Sequence, residues 1–192
     1  MVTSSAARAI GRLRGKSLAD WKATLDRRAA IAMRTRMLKM RNQRPVASIS
    51  FDDFPQSAAV TGARILEDRG VHGTFYVCGG LSGREWENGL QFSREDLVRL
   101  AARGHEIGCH TFGHRRSTDM TRREIEQEVT RNQAFVKDVL GDYVLTTFAY
   151  PYGTIGFAAK RAFQRRFAVC RGIERGVDIG SVDLALVKAN LM

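Results

Sequence analysis

Apolar and polar positions follow two alternating periods along this chain from about residue 46 onward. Short apolar, strand-like runs recur at 46–51, 72–78, 105–109, 143–149 and 167–170. Segments with apolar residues at helical spacing separate them, near 57–69, 93–103, 121–140 and 157–166. Strands that alternate with helices of this length are typical of an α/β protein with a parallel sheet or an α/β barrel.

The N-terminal segment has a different pattern and a different charge. Residues 1–45 carry 12 Lys and Arg against 2 acidic residues, whereas residues 46–192 carry 19 against 18. Residues 17–20 resemble a capping box, and good helix formers continue from there to about Met40. We therefore predict a basic helical N-terminal arm over 1–44 and an α/β domain over 45–192.

Two roles for this arm remain open. A basic amphipathic helix can contact an anionic membrane surface or bind a partner. Alternatively, the helix packs its apolar side on the domain and leaves its arginines in solvent. Residues 1–16 are small, polar and basic, and we expect them to be poorly ordered.

Composition excludes several classes of protein. A chain of 192 residues with 44% hydrophobic content can form one cored domain with an appendage. No apolar run approaches 18 residues and no secretory signal is seen, so we expect a cytoplasmic location. The three scattered cysteines do not suggest a disulfide framework. Because residues 46–192 are nearly neutral, we expect no nucleic-acid partner.

Two histidines four residues apart form the first candidate site. His110 and His114 lie in the stretch Gly104–His114, which holds three of the four histidines of the chain. Imidazoles at this spacing on a turn or tight loop can point at one metal ion. The spacing alone is weak evidence, because it also arises by chance.

Two adjacent carboxylates strengthen the metal interpretation. Asp52 and Asp53 follow the apolar run 46–51. Neighbouring residues of a strand face opposite ways, so one carboxylate can bind a metal while the other acts as a base. One Asp and two His would leave coordination positions open for water and substrate, as in catalytic sites. The alternative is a polar strand-to-loop boundary without chemistry.

The candidate residues share one position in the predicted fold. Asp52 and Asp53 end the first strand, His110 and His114 follow the third, and the stretch 148–153 ends the fourth. Active sites of α/β folds gather at the carboxyl ends of the strands. Three independent motifs at one edge are stronger evidence than any of them alone.

These stretches resemble the polysaccharide deacetylase family (carbohydrate esterase family 4, the chitooligosaccharide deacetylase homology domain). The matching stretches are Ser50–Asp53, Gly104–His114 and Tyr150–Gly153, in the order and at the strand ends that the family shows. The resemblance implies a distorted (β/α) barrel. It also implies a metal-dependent hydrolase that removes N-acetyl groups from a carbohydrate.

The resemblance also implies roles for single residues. Asp52 would be the catalytic base, and Asp53, His110 and His114 would be the ligands of a divalent ion, most often zinc in this family. The backbone N–H of Tyr152 would stabilise the tetrahedral oxyanion. Thr111 would form a hydrogen bond within the histidine loop and orient the imidazoles.

The chain departs from the family pattern in two ways. The family's third motif begins with an Arg that pairs with the catalytic Asp, but here that place holds Ala149, so we expect Asp52 to lack a fixed cationic partner. A late histidine that serves the family as general acid has no counterpart after His114. We therefore expect a barrel that is incomplete at its C-terminus, with slow or absent turnover.

Two further functions stay open beside the deacetylase. The chain could be a catalytically weak or inactive metal- or glycan-binding member, or an amidase acting on a small non-sugar amide. Trp86, in a glycine-rich loop, could stack on a sugar ring, but a tryptophan that covers the core is an equal alternative.

Overall fold

A computed structural model describes residues 18–192, with side chains from Trp21 onward. Ser17 of the predicted capping box and residues 1–16 lie outside this range. The helices are α1 (Leu18–Ala32), α2 (Ala63–Glu67, preceded by a π-helical turn over Ala58–Gly62), α3 (Arg94–Ala102), α4 (Arg122–Leu140) and α5 (Phe157–Phe163). The strands are β1 (Met37–Lys39), β2 (Ser50–Asp52), β3 (Thr74–Val77), β4 (Glu85–Trp86), β5 (Gly89–Leu90), β6 (Glu106–Cys109), β7 (Thr147–Ala149), β8 (Val169–Arg171) and β9 (Ser181–Asp183).

Five of these strands form one parallel sheet in the order β2-β3-β6-β7-β8. The helices α2 to α5 connect successive strands, which confirms the α/β fold that the sequence pattern predicted. Each connecting helix and strand lies within a few residues of its predicted position. Two helix starts are capped reciprocally, by Ser93 with Asp96 and by Thr121 with Glu124.

The sheet is curled into part of a barrel. Strands β2 and β8 are its two edges, yet the Asp52 carboxylate of β2 pairs with the Arg171 guanidinium of β8. Residues 184–187 extend the β8 side, where the Cys170 N–H donates to Leu184 O at 2.8 Å and Val187 N–H donates to Cys170 O at 2.9 Å. The incomplete barrel expected from the sequence is confirmed.

Aromatic residues fill the space between the sheet and its helices. Phe148 of β7 stacks on Phe163 of α5, with ring centroids 3.9 Å apart, and on Phe167 at 5.2 Å. At the other side, Phe54 packs against Phe75 and Phe92. All six rings are buried, so this core holds the strand ends that carry the candidate site in fixed positions.

The N-terminal segment differs from its prediction. The helix ends at Ala32 rather than near Met40, and residues 37–39 form strand β1, which pairs antiparallel with β9. Pairing with β9 outweighs the helix propensity of these residues, because tertiary contacts override local preference. The Asp26 carboxylate accepts a hydrogen bond from Phe157 N–H at 3.1 Å, at the start of α5.

A buried lysine fixes α1 to the barrel. The Lys160 ammonium, on α5, donates to Ala30 O at 2.8 Å and Met33 O at 3.0 Å, and it pairs with Asp183 at 2.7 Å. The opposite side of α1 exposes Trp21 and Leu25. The helix is thus packed on the domain while part of its apolar surface stays in solvent, and the division at residue 44 stays a prediction.

No helix within residues 18–192 combines the length and the apolarity that crossing a bilayer requires.

Candidate metal centre and active site

The five predicted site residues meet at the carboxyl end of the sheet. Asp52 is the last residue of β2 and Asp53 follows it. His110 follows β6, His114 lies four residues further on, and Tyr152 lies in the turn after β7. Because β2, β6 and β7 are parallel strands of one sheet, their ends bring these residues to the same edge.

Three of them form a set with the donors of a metal site. Asp53, His110 and His114 each offer one ligand atom, and these atoms lie within 4.8 Å of one another. The Nδ1–H of His110 donates to Ala149 O at 2.8 Å, which leaves Nε2 free to bind an ion. Nδ1 of His114 is buried without a hydrogen-bond partner. An unpaired buried nitrogen beside a carboxylate and a second imidazole fits a bound cation.

The backbone around this set is strained. Among the residues that the structure describes, four non-glycine residues have positive φ: Asp53, Thr111, His114 and Tyr152, at 31°, 62°, 51° and 55°. All four belong to the candidate site or to its histidine loop. Such conformations are costly and persist where the surroundings hold them, as they do at functional sites.

Burial shifts the proton affinities of the same groups. Burial, with help from Asp52 and Glu87, raises the pKa of Asp53 to about 6. Burial lowers the pKa of His110, and burial together with the His110 ring lowers the pKa of His114 to about 4. Both imidazoles are therefore neutral near pH 7, and neutral imidazole is the form that binds metals.

Buried polar contacts hold the histidine loop in place. The Gly113 N–H donates to the Glu128 carboxylate at 2.7 Å, and Glu128 is buried on α4. The Gly80 N–H donates to Phe112 O at 2.9 Å. The Thr111 hydroxyl accepts a hydrogen bond from Arg115 N–H at 3.2 Å, which matches the local role expected for Thr111.

Asp52 does have a fixed cationic partner, so the expectation from Ala149 was wrong. The Arg171 guanidinium at the end of β8 pairs with the Asp52 carboxylate and lies over the Tyr76 ring at 5.1 Å. Ala149 instead uses its backbone carbonyl to orient His110. The curl of the sheet brings β8 to β2, and no local motif could indicate that contact. The only sequence signal was that Arg171 directly follows the predicted strand 167–170.

Two aromatic rings flank His114. The Tyr152 ring lies 4.4 Å from the His114 ring and carries the Arg116 guanidinium at 4.3 Å on its surface. The Trp86 ring lies edge-on to His114 at 6.3 Å and is partly exposed. Trp86 therefore borders the site and does not cover the core, which leaves its ring available for contact with a ligand.

The remaining two histidines lie away from the site. His105 is buried at the start of β6, where its Nδ1 accepts from Gly73 N–H at 3.0 Å and its Nε2 lies 3.1 Å from Glu67. His72 precedes β3, although it lies in the predicted strand run 72–78, and it is exposed. Both belong to the amino-terminal end of the sheet, opposite Asp52.

The fold and the site together are typical of an α/β-barrel enzyme whose chemistry lies at the carboxyl ends of its strands. Residues 39–165 match the family model for polysaccharide deacetylase. That match covers well over half of the chain, and the chain belongs to the polysaccharide deacetylase family.

Curated relatives extend the comparison. The chain is 29% identical over 116 residues to a peptidoglycan-N-acetylglucosamine deacetylase, PgdA, of Listeria monocytogenes, covering 56% of this chain and 22% of that protein. It is 30% identical over 111 residues to chitin deacetylase 1 of Cryptococcus neoformans, covering 57% and 22%. The chain thus spans about a fifth of the length of these relatives.

Solved structures support the same fold. The structure of IcaB from Ammonifex degensii superposes with a TM-score of 0.67 at 23% identity, over 76% of this chain and 66% of that one. At this identity the likeness shows the fold alone. It agrees with a distorted barrel of the polysaccharide deacetylase type.

Proposed function

We propose that this chain is a metal-dependent carbohydrate N-deacetylase that hydrolyses the acetamide of an N-acetylated sugar. The observation that carries the proposal is the grouping of Asp53, His110 and His114 within 4.8 Å, next to an Asp52 carboxylate held by Arg171. The names of the relatives, which act on peptidoglycan and chitin, support a polymeric N-acetylglucosamine substrate.

Asp53, His110 and His114 would hold the ion, and zinc suits a set of one carboxylate and two imidazoles. A divalent ion at this position supplies polarisation of the acetamide carbonyl and acidification of water. The hydrogen bond from the His110 Nδ1–H to Ala149 O leaves Nε2 as the atom of His110 that would bind the ion. Asp53 and His114 both have positive φ, and their ligand atoms lie within 4.8 Å of each other.

Asp52 is the proposed general base. Its carboxylate accepts the proton of the attacking water, while the ion pair with Arg171 fixes its orientation. The backbone N–H of Tyr152 donates to the oxyanion of the tetrahedral intermediate. The Tyr152 ring, stacked between His114 and Arg116, holds that turn in place.

The proton for the departing amine also has a source in this site. His72 and His105 lie at the opposite end of the sheet, so neither can reach the substrate. Asp52 would hold the proton that it took from water, and we assign it the return of that proton to the amine. One carboxylate serving as base and then acid predicts slower turnover than a separate acid would give.

The test is acetate release from chitotetraose by protein reconstituted with zinc. Asp52→Asn should lower the rate by about 10²–10⁴, the usual contribution of a positioned acid or base. Bound metal should stay at the wild-type level, because Asp52 is not one of the proposed ligands. Asp68→Asn is the matched control, since Asp68 is an exposed carboxylate on the far side of the fold.

Each alternative function has its own outcome in this assay. Metal bound without acetate release would favour a binding protein over an enzyme. Release from a panel of small acetamides but not from chitotetraose would favour an amidase. Release that Asp52→Asn leaves unchanged would contradict the assignment of Asp52.

A further inference from the structure

A cleft of about 750 Å³ lies beside the metal centre. It runs between the turn at residues 79–82, the histidine loop and helix α4. Gly113, which precedes His114, forms part of its wall, and so does Trp86, whose ring lies 6.3 Å from the His114 ring. A polymer whose acetamide reached the metal centre would place a neighbouring sugar in this cleft.

The cleft is lined by four arginines and one acidic residue: Arg84, Arg94, Arg115, Arg131 and Glu128. Two of the arginines are already paired with carboxylates outside the lining. Arg94 pairs with Asp138, and Arg115 pairs with Glu124 at 2.9 Å. These two contribute little uncompensated charge.

The other two arginines are available to a ligand. Among the residues that the structure describes, the exposed Arg84 guanidinium has no hydrogen bond or ion pair. The Arg131 guanidinium lies over the Phe112 ring, 4.2 Å from its centroid, and its side chain is 62% exposed. Its contact with Glu128 is 3.8 Å long, and Glu128 is already bound to Gly113 N–H at 2.7 Å.

We propose that this cleft binds the carboxylate of an acidic sugar adjacent to the N-acetylated sugar that is deacetylated. Arginine donates two parallel hydrogen bonds to a carboxylate, and its stacking on Phe112 reduces the entropy lost on binding. Because the carboxylates of Asp138, Glu124 and Glu128 offset three of the four arginine charges, the remaining charge suits a monoanion better than a phosphate dianion. This inference rests on the proposed function, since it names the substrate class of the same site.

Binding is measured directly by calorimetry with zinc-loaded protein and two tetrasaccharides. Hyaluronan tetrasaccharide alternates glucuronate with N-acetylglucosamine, and chitotetraose is its neutral counterpart. We expect tighter binding of the acidic tetrasaccharide, with an affinity that falls as salt rises. Arg84→Glu should lower the acidic-to-neutral affinity ratio at least about tenfold, as loss of a charged hydrogen bond does. Arg131→Gln should also lower the acidic-to-neutral affinity ratio.

Arg69→Glu is the matched control. It makes the same change in charge at an exposed arginine that follows α2, at the opposite end of the sheet. An equal loss in Arg69→Glu would overturn the proposal, because it would show a response to overall charge. Equal wild-type affinity for the two tetrasaccharides would also overturn it. Stronger displacement of the acidic tetrasaccharide by inorganic phosphate than by glucuronate would overturn the assignment to a carboxylate.

Acetate release separates this inference from the proposed function. Arginine-dependent binding of the acidic tetrasaccharide without acetate from either sugar would support the cleft and contradict the deacetylase. Release of acetate from chitotetraose, with no preference for binding the acidic tetrasaccharide, would support the deacetylase and contradict the cleft.

Discussion

Two buried polar clusters in this molecule are built in opposite ways. In the lysine clamp, formed by Lys160 and Asp183, every donor has an acceptor. The Lys160 ammonium makes three contacts, and the Asp183 carboxylate also accepts from the N–H groups of Thr35, Arg36 and Ala185. Burial raises the pKa of Asp183, but Lys160 and these amides more than offset it, so the pKa is lowered.

The metal cluster, formed by Asp53, His110 and His114, does not have a hydrogen-bond partner for every buried polar atom. His114 has a buried nitrogen without a partner, and the pKa of Asp53 is raised to about 6. Two of its three residues have positive φ. A fully satisfied cluster stabilises the fold, whereas an unsatisfied and strained one is retained for a ligand. Substitutions in the two clusters should therefore separate stability from metal binding.

The largest expected effect is on stability, from Lys160→Met. This change leaves the Asp183 carboxylate buried without its cation, which costs about 3–5 kcal/mol. Urea denaturation should show this loss in the free energy of unfolding, and folded protein should keep its metal. Lys188→Met is the control, because the ion pair of its exposed ammonium with Asp178 is 3.9 Å long and should contribute less than about 1 kcal/mol. A loss that matched the control would contradict the role of the clamp.

His114→Asn should have the reverse effect. Asparagine tolerates the left-handed backbone at this position, and the His114 Nδ1 has no hydrogen bond to lose. We expect zinc affinity to fall by more than about 100-fold. Loss of a residue that only contacts a metal ligand typically costs about 10–100-fold, and loss of a ligand itself should cost more. The free energy of unfolding without metal should change by less than about 1 kcal/mol.

His105→Leu is the matched histidine control for that experiment. It removes the acceptor of the Gly73 N–H and should cost about 1–3 kcal/mol of stability while leaving metal content unchanged. Wild-type zinc affinity in His114→Asn would remove His114 from the proposed ligand set.

Arg171→Met tests the ion pair between Arg171 and Asp52, which shares a property with each cluster. It is a structural contact, and it also involves the proposed base. Loss of an outer residue that orients a reacting group typically costs about 10–100-fold. We expect that loss in kcat, with unchanged metal content and partial recovery in Arg171→Lys. The exposed Arg165→Met serves as control. A normal kcat in Arg171→Met would show that Asp52 needs no cationic partner.

The smallest expected effect concerns the outer surface of α1. Trp21 and Leu25 are exposed there together with the basic residues Lys22 and Arg28. We propose contact with an anionic membrane surface, and neutralising both charges with Lys22→Gln and Arg28→Gln should weaken vesicle binding by up to about 1 kcal/mol per residue. Sedimentation with phosphatidylserine vesicles measures it. Wild-type protein that did not bind, or bound independently of salt, would contradict this proposal.

Local pattern was sufficient to predict the alternating strands and helices and the three motifs at their ends. The period of the apolar side chains in each segment determines whether it forms a helix or a strand. Neighbouring parallel strands then place their carboxyl ends at the same edge of the sheet. Asp53, His110 and His114 therefore met as predicted, although whether they bind an ion stays a prediction. The N-terminal helix was predicted too long, because the pairing of residues 37–39 with 181–183 has no local signal.

Tertiary structure alone decided the contacts between residues far apart in sequence. Arg171 lies 119 positions from Asp52, and they meet only because the curl of the sheet brings its two edge strands together. Lys160 reaches Ala30 across 130 positions in the same way. A local motif indicates which residues lie at a turn or at a strand end. Whether a residue of another strand contacts them depends on how far the sheet twists and curls. For that reason the sequence indicated the metal ligands but not the cation that orients the base.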